Sequence, residues 1–317
     1  MVTAMALTGY AAEPLRPVQT IPLSGVAGRI DHMAADLIHK RLFVAALGNN
    51  TLEVIDLTTG ARTHSIAGLH EPQGIAYVPD RNQIYVANGG DGKLQVFDAV
   101  SFGLVESADL SADADNVRYY AQARQIFVGY ASGALGVFDA TNGQKLGDIP
   151  LKGHPESFQL ERAGPHIFVN VPTAGHVAVV DREKRTVITQ WPLTNQANFP
   201  MALDEAGHRL FVGCRKPPHV AVFDTSTGKA VARLDCVGDT DDLFYDAALK
   251  RLYVSGGEGF LTVIREQDAS HFLPLARIPT APGARTSLFV ADLRRLYLAV
   301  PQREAQGAEI RVFETHQ

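Results

Sequence analysis

The chain has 317 residues, of which 46% are hydrophobic and 20% charged. That supplies a large core and excludes wholesale disorder, which needs low hydrophobicity and high charge. The net charge of −5, without any run of Lys and Arg, argues against nucleic acid as a partner. No stretch of eighteen uninterrupted apolar residues exists, so no membrane-spanning helix is predicted.

In chain order, residues 1–14 come first and open MVTAMALTGYAAE. This small, apolar segment reads either as the remnant of a secretory signal lacking its basic start, or as a disordered N-terminus. The first reading makes the protein periplasmic or secreted, and the second leaves a cytoplasmic location open. Cys214 and Cys236 are too few for a disulfide framework and show no CxxC spacing. They read as small buried hydrophobes.

From residue 15 to 317 one unit recurs. An apolar-aromatic-apolar triplet places aromatics at 43, 85, 127, 168, 211, 253 and 297, spaced 42, 42, 41, 43, 42 and 44. A second marker follows, as in Val54-Ile55-Asp56, Val96-Phe97-Asp98, Val137-Phe138-Asp139, Val179-Val180-Asp181 and Val222-Phe223-Asp224. It becomes Val263-Ile264-Arg265 and Val312-Phe313-Glu314 in the last two units. Each unit holds four short β-like runs separated by Gly, Asp and Asn turns, with no helical period. Four strands per unit, seven times, predict an all-β, seven-bladed β-propeller. The last unit lacks its own fourth strand. Val18–Leu23 resembles the fourth strands elsewhere, so the N-terminal strand is predicted to complete the last blade and close the ring.

The second strand Tyr85-Val86-Ala87-Asn88, its variant Tyr253-Val254-Ser255-Gly256, and hairpins such as Asp56–Gly60 carry a resemblance to the bacterial YVTN-repeat (YncE-like) seven-bladed propellers. It covers Val18 to Glu314. It implies the fold and, since members are frequently exported, supports the signal reading. It implies no activity, because propellers host many.

Repeat register also locates a candidate site. The loop entering each first strand shares a face with the loop between strands two and three, around the central channel. Seven aligned tetrads fall there: Arg29–His32, Glu71–Gly74, Asp113–Asn116, His154–Ser157, Ala197–Pro200, Asp239–Asp242 and Gly283–Thr286. They hold eight acids and two bases, a net −6 that outweighs the −5 of the whole chain. Turn chemistry favours Asp and Asn in any tight loop, but it tends to repeat one solution, and these tetrads differ from one another.

Carboxylates with imidazoles suit a divalent metal ion, so Asp31, His32, Asp115 and Asp241 are the predicted metal ligands. Asn116, Asn198, Arg215 and Asp242 are predicted ligand-binding residues. Arg215 with Arg285 is suited to clamping a carboxylate or to neutralising the acidic ring. His32, His154, Glu156 and Arg285 are the candidate catalytic set, with imidazole or carboxyl moving a proton. Seven-bladed lactonases and muconate-cyclising enzymes have a mouth that is similar in outline. No G-x-S-x-G elbow, CxxCH motif or phosphate loop occurs. Two readings result. The preferred one is a propeller binding a small polar ligand or divalent cation at its mouth, with a protein partner as a further option. The other is a metal-assisted hydrolase, lactonase or lyase using the same mouth.

Overall fold

The computed structural model describes residues 13–131, 133–193 and 196–316. The segment read as a signal remnant therefore lies almost wholly outside the described residues. Among the described residues, twenty-eight strands form seven four-stranded antiparallel sheets arranged in a ring. Six blades are consecutive in sequence. The seventh joins Ser287–Val290, Arg295–Val300 and Glu309–Thr315 to the N-terminal strand Leu15–Pro22.

A bulge shared by all blades shows how alike they are. Between third and fourth strands the register shifts at Val54/Ile55, Val96/Phe97, Val137/Phe138, Val179/Val180, Val222/Phe223 and Val263/Ile264. In the seventh blade the shift lies between Pro17 and Gln19, opposite Phe313 and Val312. The N-terminal strand thus reproduces the bulge of an ordinary fourth strand although it comes from the other end of the chain. A bulge adds local twist, so its repetition helps every sheet present the same shape to its neighbours.

The seven aromatic markers fill the spaces between blades. Phe43, Tyr85, Phe127, Phe168, Phe211, Tyr253 and Tyr297 are each at most 3% exposed. Each apolar cluster spans neighbouring blades, as where Phe43, Leu52 and Val54 meet Ile75, Ile84 and Val86. Burying one such side chain contributes roughly 1.5–3 kcal/mol. The triplet spacing therefore encodes the interfaces that hold the ring, and the ring brings the first strands around one axis.

The markers ending in Asp form the opposite end of the blades. Asp56 Oδ1 accepts from the backbone N–H of Thr58 and Thr59 at 2.7 and 2.8 Å. Asp98 does the same for Val100 and Ser101, and Asp224 for Ser226 and Thr227. These are Asx turns, as that recurrence predicts.

Candidate functional site: the channel mouth

Backbone hydrogen bonds fix the tetrads to the loops between strands two and three. Gly48 N–H donates to Arg29, Gly89 to Glu71, Ala131 to Asp113, Arg215 to Ala197 and Gly257 to Asp239. Glu71, Asp113, Ala197 and Asp239, each first in its tetrad, take left-handed φ values of 51, 40, 49 and 52°. A turn requirement thus accounts for the acids at 113 and 239, since Asp tolerates this conformation. Close backbone approach then seats the inward residues. A Cβ on Gly74 would lie 2.2 Å from the Asp115 carbonyl, and one on Gly48 2.6 Å from Arg29 N. Only glycine lets these loops reach their neighbours.

The third residue of each tetrad carries the variation: Asp31, Gln73, Asp115, Glu156, Phe199, Asp241 and Arg285. Asp31 is 1% exposed and accepts from Arg29 Nη2 at 2.6 Å. Asp241 gathers guanidinium groups from three blades. Arg215 donates to its Oδ1, Arg285 Nε lies 2.9 Å from its Oδ2, and Arg29 Nη2 lies 3.8 Å away. Arg285 Nη1 also reaches Asp239 at 3.1 and 3.3 Å. Arg215 stacks over the Phe199 ring at 3.7 Å, so that ring is a platform for the arginine.

His32 sits between carboxylates, its Nδ1 3.5 Å from Asp242 and its Nε2 3.7 Å from Asp31. The Asn116 amide lies 3.4 Å from the same Nε2. Asp242 is held by the Ser287 N–H at 2.8 Å. Burial opposes charge on His32, but Asp242, Asp31 and Asp115 outweigh it and push the imidazole up to about 10. His154 contacts the Ala131 carbonyl at 2.7 Å through Nδ1 and faces Asp115 at 3.9 Å and Asp113 at 3.6 Å. Burial again works against its charge, yet Asp115, the Ala131 carbonyl and Asp113 raise it to about 9. Burial and then the Asp115 charge push the Glu156 carboxyl up to about 8. Burial likewise raises Asp31, Asp241 and Asp242, whereas Asp115 is lowered because its imidazole and arginine neighbours outweigh its own burial.

These environments revise the charge of the mouth. At neutral pH both imidazoles are cationic and Glu156 is protonated. Arg118, in the first strand Val117–Tyr120, adds a half-buried guanidinium close enough to sense Asp242 and Asp115. Six cationic side chains, Arg29, Arg118, Arg215, Arg285, His32 and His154, then share the mouth with the seven remaining tetrad acids, Asp31, Glu71, Asp113, Asp115, Asp239, Asp241 and Asp242. The ring expected to be strongly acidic is nearly balanced.

The metal expectation gains no support from this geometry. Among the described residues, no group of three or more His, Cys, Asp or Glu side chains is placed to hold a metal ion. Asp31, His32, Asp115 and Asp241 lie at one mouth, but the carboxylates of Asp31, Asp115 and Asp241 pair with Arg29, His154, and Arg215 and Arg285 respectively. Asn198, expected at the ligand, is instead fully buried. Its Nδ2 donates to Asn170 Oδ1 at 2.8 Å and to the His176 carbonyl at 3.1 Å, tying blade five to blade four. The other named residues, His32, Asn116, His154, Glu156, Arg215, Asp242 and Arg285, do gather at the mouth. The residue that sequence reasoning missed is Arg118, which lies inside a strand where repeat alignment signalled only structure.

No protein-family model and no curated protein sequence matches the chain. Solved structures do. One from a mitotic checkpoint complex has a TM-score of 0.77 at 14% identity, covering 100% of this chain and 99% of that one. One from Kuenenia stuttgartiensis hydrazine synthase has a TM-score of 0.73 at 16% identity, covering 94% and 96%. At these identities the likeness concerns the propeller fold.

Proposed function

We propose that this chain is a binding propeller of the YVTN-repeat type that takes a small polar ligand at its channel mouth. The observation carrying this reading is a set of buried acceptors without donors. Asp31 Oδ1 and Asn116 Oδ1 have no hydrogen-bond partner, on residues only 1% and 2% exposed. Leaving a buried polar atom unmade costs about 1–3 kcal/mol, so a ligand hydroxyl, amine or bound water has a place there. The repeat motif Tyr85–Asn88 supports the family, and the apolar first residues support export, which cell fractionation of the full chain checks.

The test is a melt of the purified protein against amines, polyols, carboxylates and phosphates, with and without EDTA. A ligand that binds only the folded chain stabilises it by about 2.7 kcal/mol at a hundredfold excess over Kd. At least one class is expected to raise Tm, and Asp31→Asn to weaken that rise. If no class binds, the reading fails. A chelator-sensitive melt would restore the metal site.

A second reading, proton-transfer catalysis, is favoured by one observation. Asp115 acts on both Glu156, raised to about 8, and His154, raised to about 9. Perturbed groups converging on a cleft are a signature of acid–base work. A lactone screen, with a pH–rate profile and Glu156→Gln, addresses it. Turnover lost in that variant supports catalysis, and no turnover on any lactone removes this reading.

A further inference from the structure

Next to the Arg29–Asp31 ion pair lies a cavity of about 280 Å3, lined by Gly28, Arg29, Asp239, Gly283, Arg285 and Arg303 among others. We propose that this cavity is an anion subsite, so that the mouth's ligand carries a carboxylate or a phosphate. The inference rests on the mouth being a ligand site and adds the chemical class.

Three guanidinium groups from separate loops line one space. Arg29 and Arg285 are already oriented by ion pairs with Asp31, Asp239 and Asp241. Arg303 makes no ion pair among the described residues. Counting Arg215, four guanidinium groups stand against three carboxylates, so this side of the mouth holds one uncompensated positive charge. The rim is shaped to keep Arg303 there. Gly283 has φ +82°, and a Cβ on it would come 2.7 Å from Arg303 Nη2. A hairpin between Arg303 and Gln306, bonded at 3.0 and 2.8 Å, fixes the backbone from which the side chain extends. Planar guanidinium forks match carboxylate and phosphate oxygens two at a time. Prior orientation of two of them lowers the entropy lost on binding.

Calorimetry with inorganic phosphate and with succinate, on the wild-type chain and on Arg303→Gln, tests this. Arg303 is exposed and unpaired, so the variant is expected to melt like the parent without ligand. At least one probe should bind the parent, and the variant should bind about tenfold more weakly. The probe that binds distinguishes phosphate from carboxylate. Equal binding by parent and variant overturns the subsite. So does binding of neutral or cationic compounds alone, although the mouth would survive as a ligand site. Silence across every class defeats both readings together.

Discussion

Asp98 and Asp241 both stand at blade ends, and they differ in everything that surroundings control. Asp98 lies under its own turn, and hydrogen bonds from the Ser101 and Val100 backbone hold its carboxyl below the usual range. Its counterparts Asp56, Asp139, Asp181 and Asp224 are lowered as well, largely by bonds within their own turns. Asp241 is buried at the opposite end, and burial raises it. Its partners are arginines from three blades rather than its own backbone. One end repeats a single local solution, and the other gives each blade a different side chain at the same position. Where a repeat protein stops repeating at a defined position, selection for structure alone is a poor explanation.

The sharpest way to break this comparison is Asp241→Ala. It leaves three guanidinium groups short of a partner and is expected to destabilise by about 3–5 kcal/mol in urea unfolding. Asp98→Ala removes one Asx turn among several, and its Tm should fall by no more than about 2 °C. Equal effects would mean that the mouth is an ordinary set of turns. Next in size is Gly74→Ala, where the added carbon meets backbone at Asp115. About 1–3 kcal/mol of destabilisation is expected, with weakened ligand binding in calorimetry.

Titration separates the ends further. His32 and His154 have folded values of about 10 and 9, above the ordinary 6.5. Glu156 at about 8 is above its ordinary 4.5. Each raised value means that the folded chain holds the proton more tightly than the unfolded chain. The stability from the two histidines is complete below pH 6.5 and is lost as pH rises through about 9 and 10. That from Glu156 is complete below 4.5 and is lost through about 8. Melts and urea curves from pH 7 to 10 should therefore show stability falling, by at most about 1.4 kcal/mol per pH unit for each of these groups still changing, and so most steeply between pH 7 and 8. The hairpin aspartates act in the opposite sense and at the other end of the scale, since their lowered values make stability fall only in acid. The last expected effect is a gain, from Glu156→Gln. The amide mimics the protonated carboxyl but cannot ionise in the unfolded chain, so stability at pH 7 should rise by about 1 kcal/mol or more, while the decline toward pH 8 becomes shallower. An unchanged slope would show that Glu156 is ionised already.

Almost all of the fold was legible because a propeller writes its interfaces as period. Phe43 and its six counterparts recur because each fills the same gap between sheets, and Val18–Leu23 matched its missing position. The mouth was legible as a place, through register, but not as a chemistry. Formal charges counted His32 and His154 as neutral and Glu156 as ionised, and burial among neighbours reverses all three. Arg118 escaped because a strand residue gives no sign of being near the axis. Asn198 misled because an amide in a loop-entry tetrad looks the same whether it faces the channel or clasps the next blade.

The N-terminal strand of the seventh blade has a consequence for synthesis. Leu15–Pro22 leaves the ribosome before every other strand of the ring and finds its partner, Glu309–Thr315, only when the last of them has been made. Until then both strands carry open hydrogen-bonding edges, and six blades stand as an arc without its keystone. Edges of this kind invite pairing with other chains. The interval before closure is thus when this protein most needs a chaperone, and slowed translation of its last blade should increase aggregation more than slowing within any middle blade.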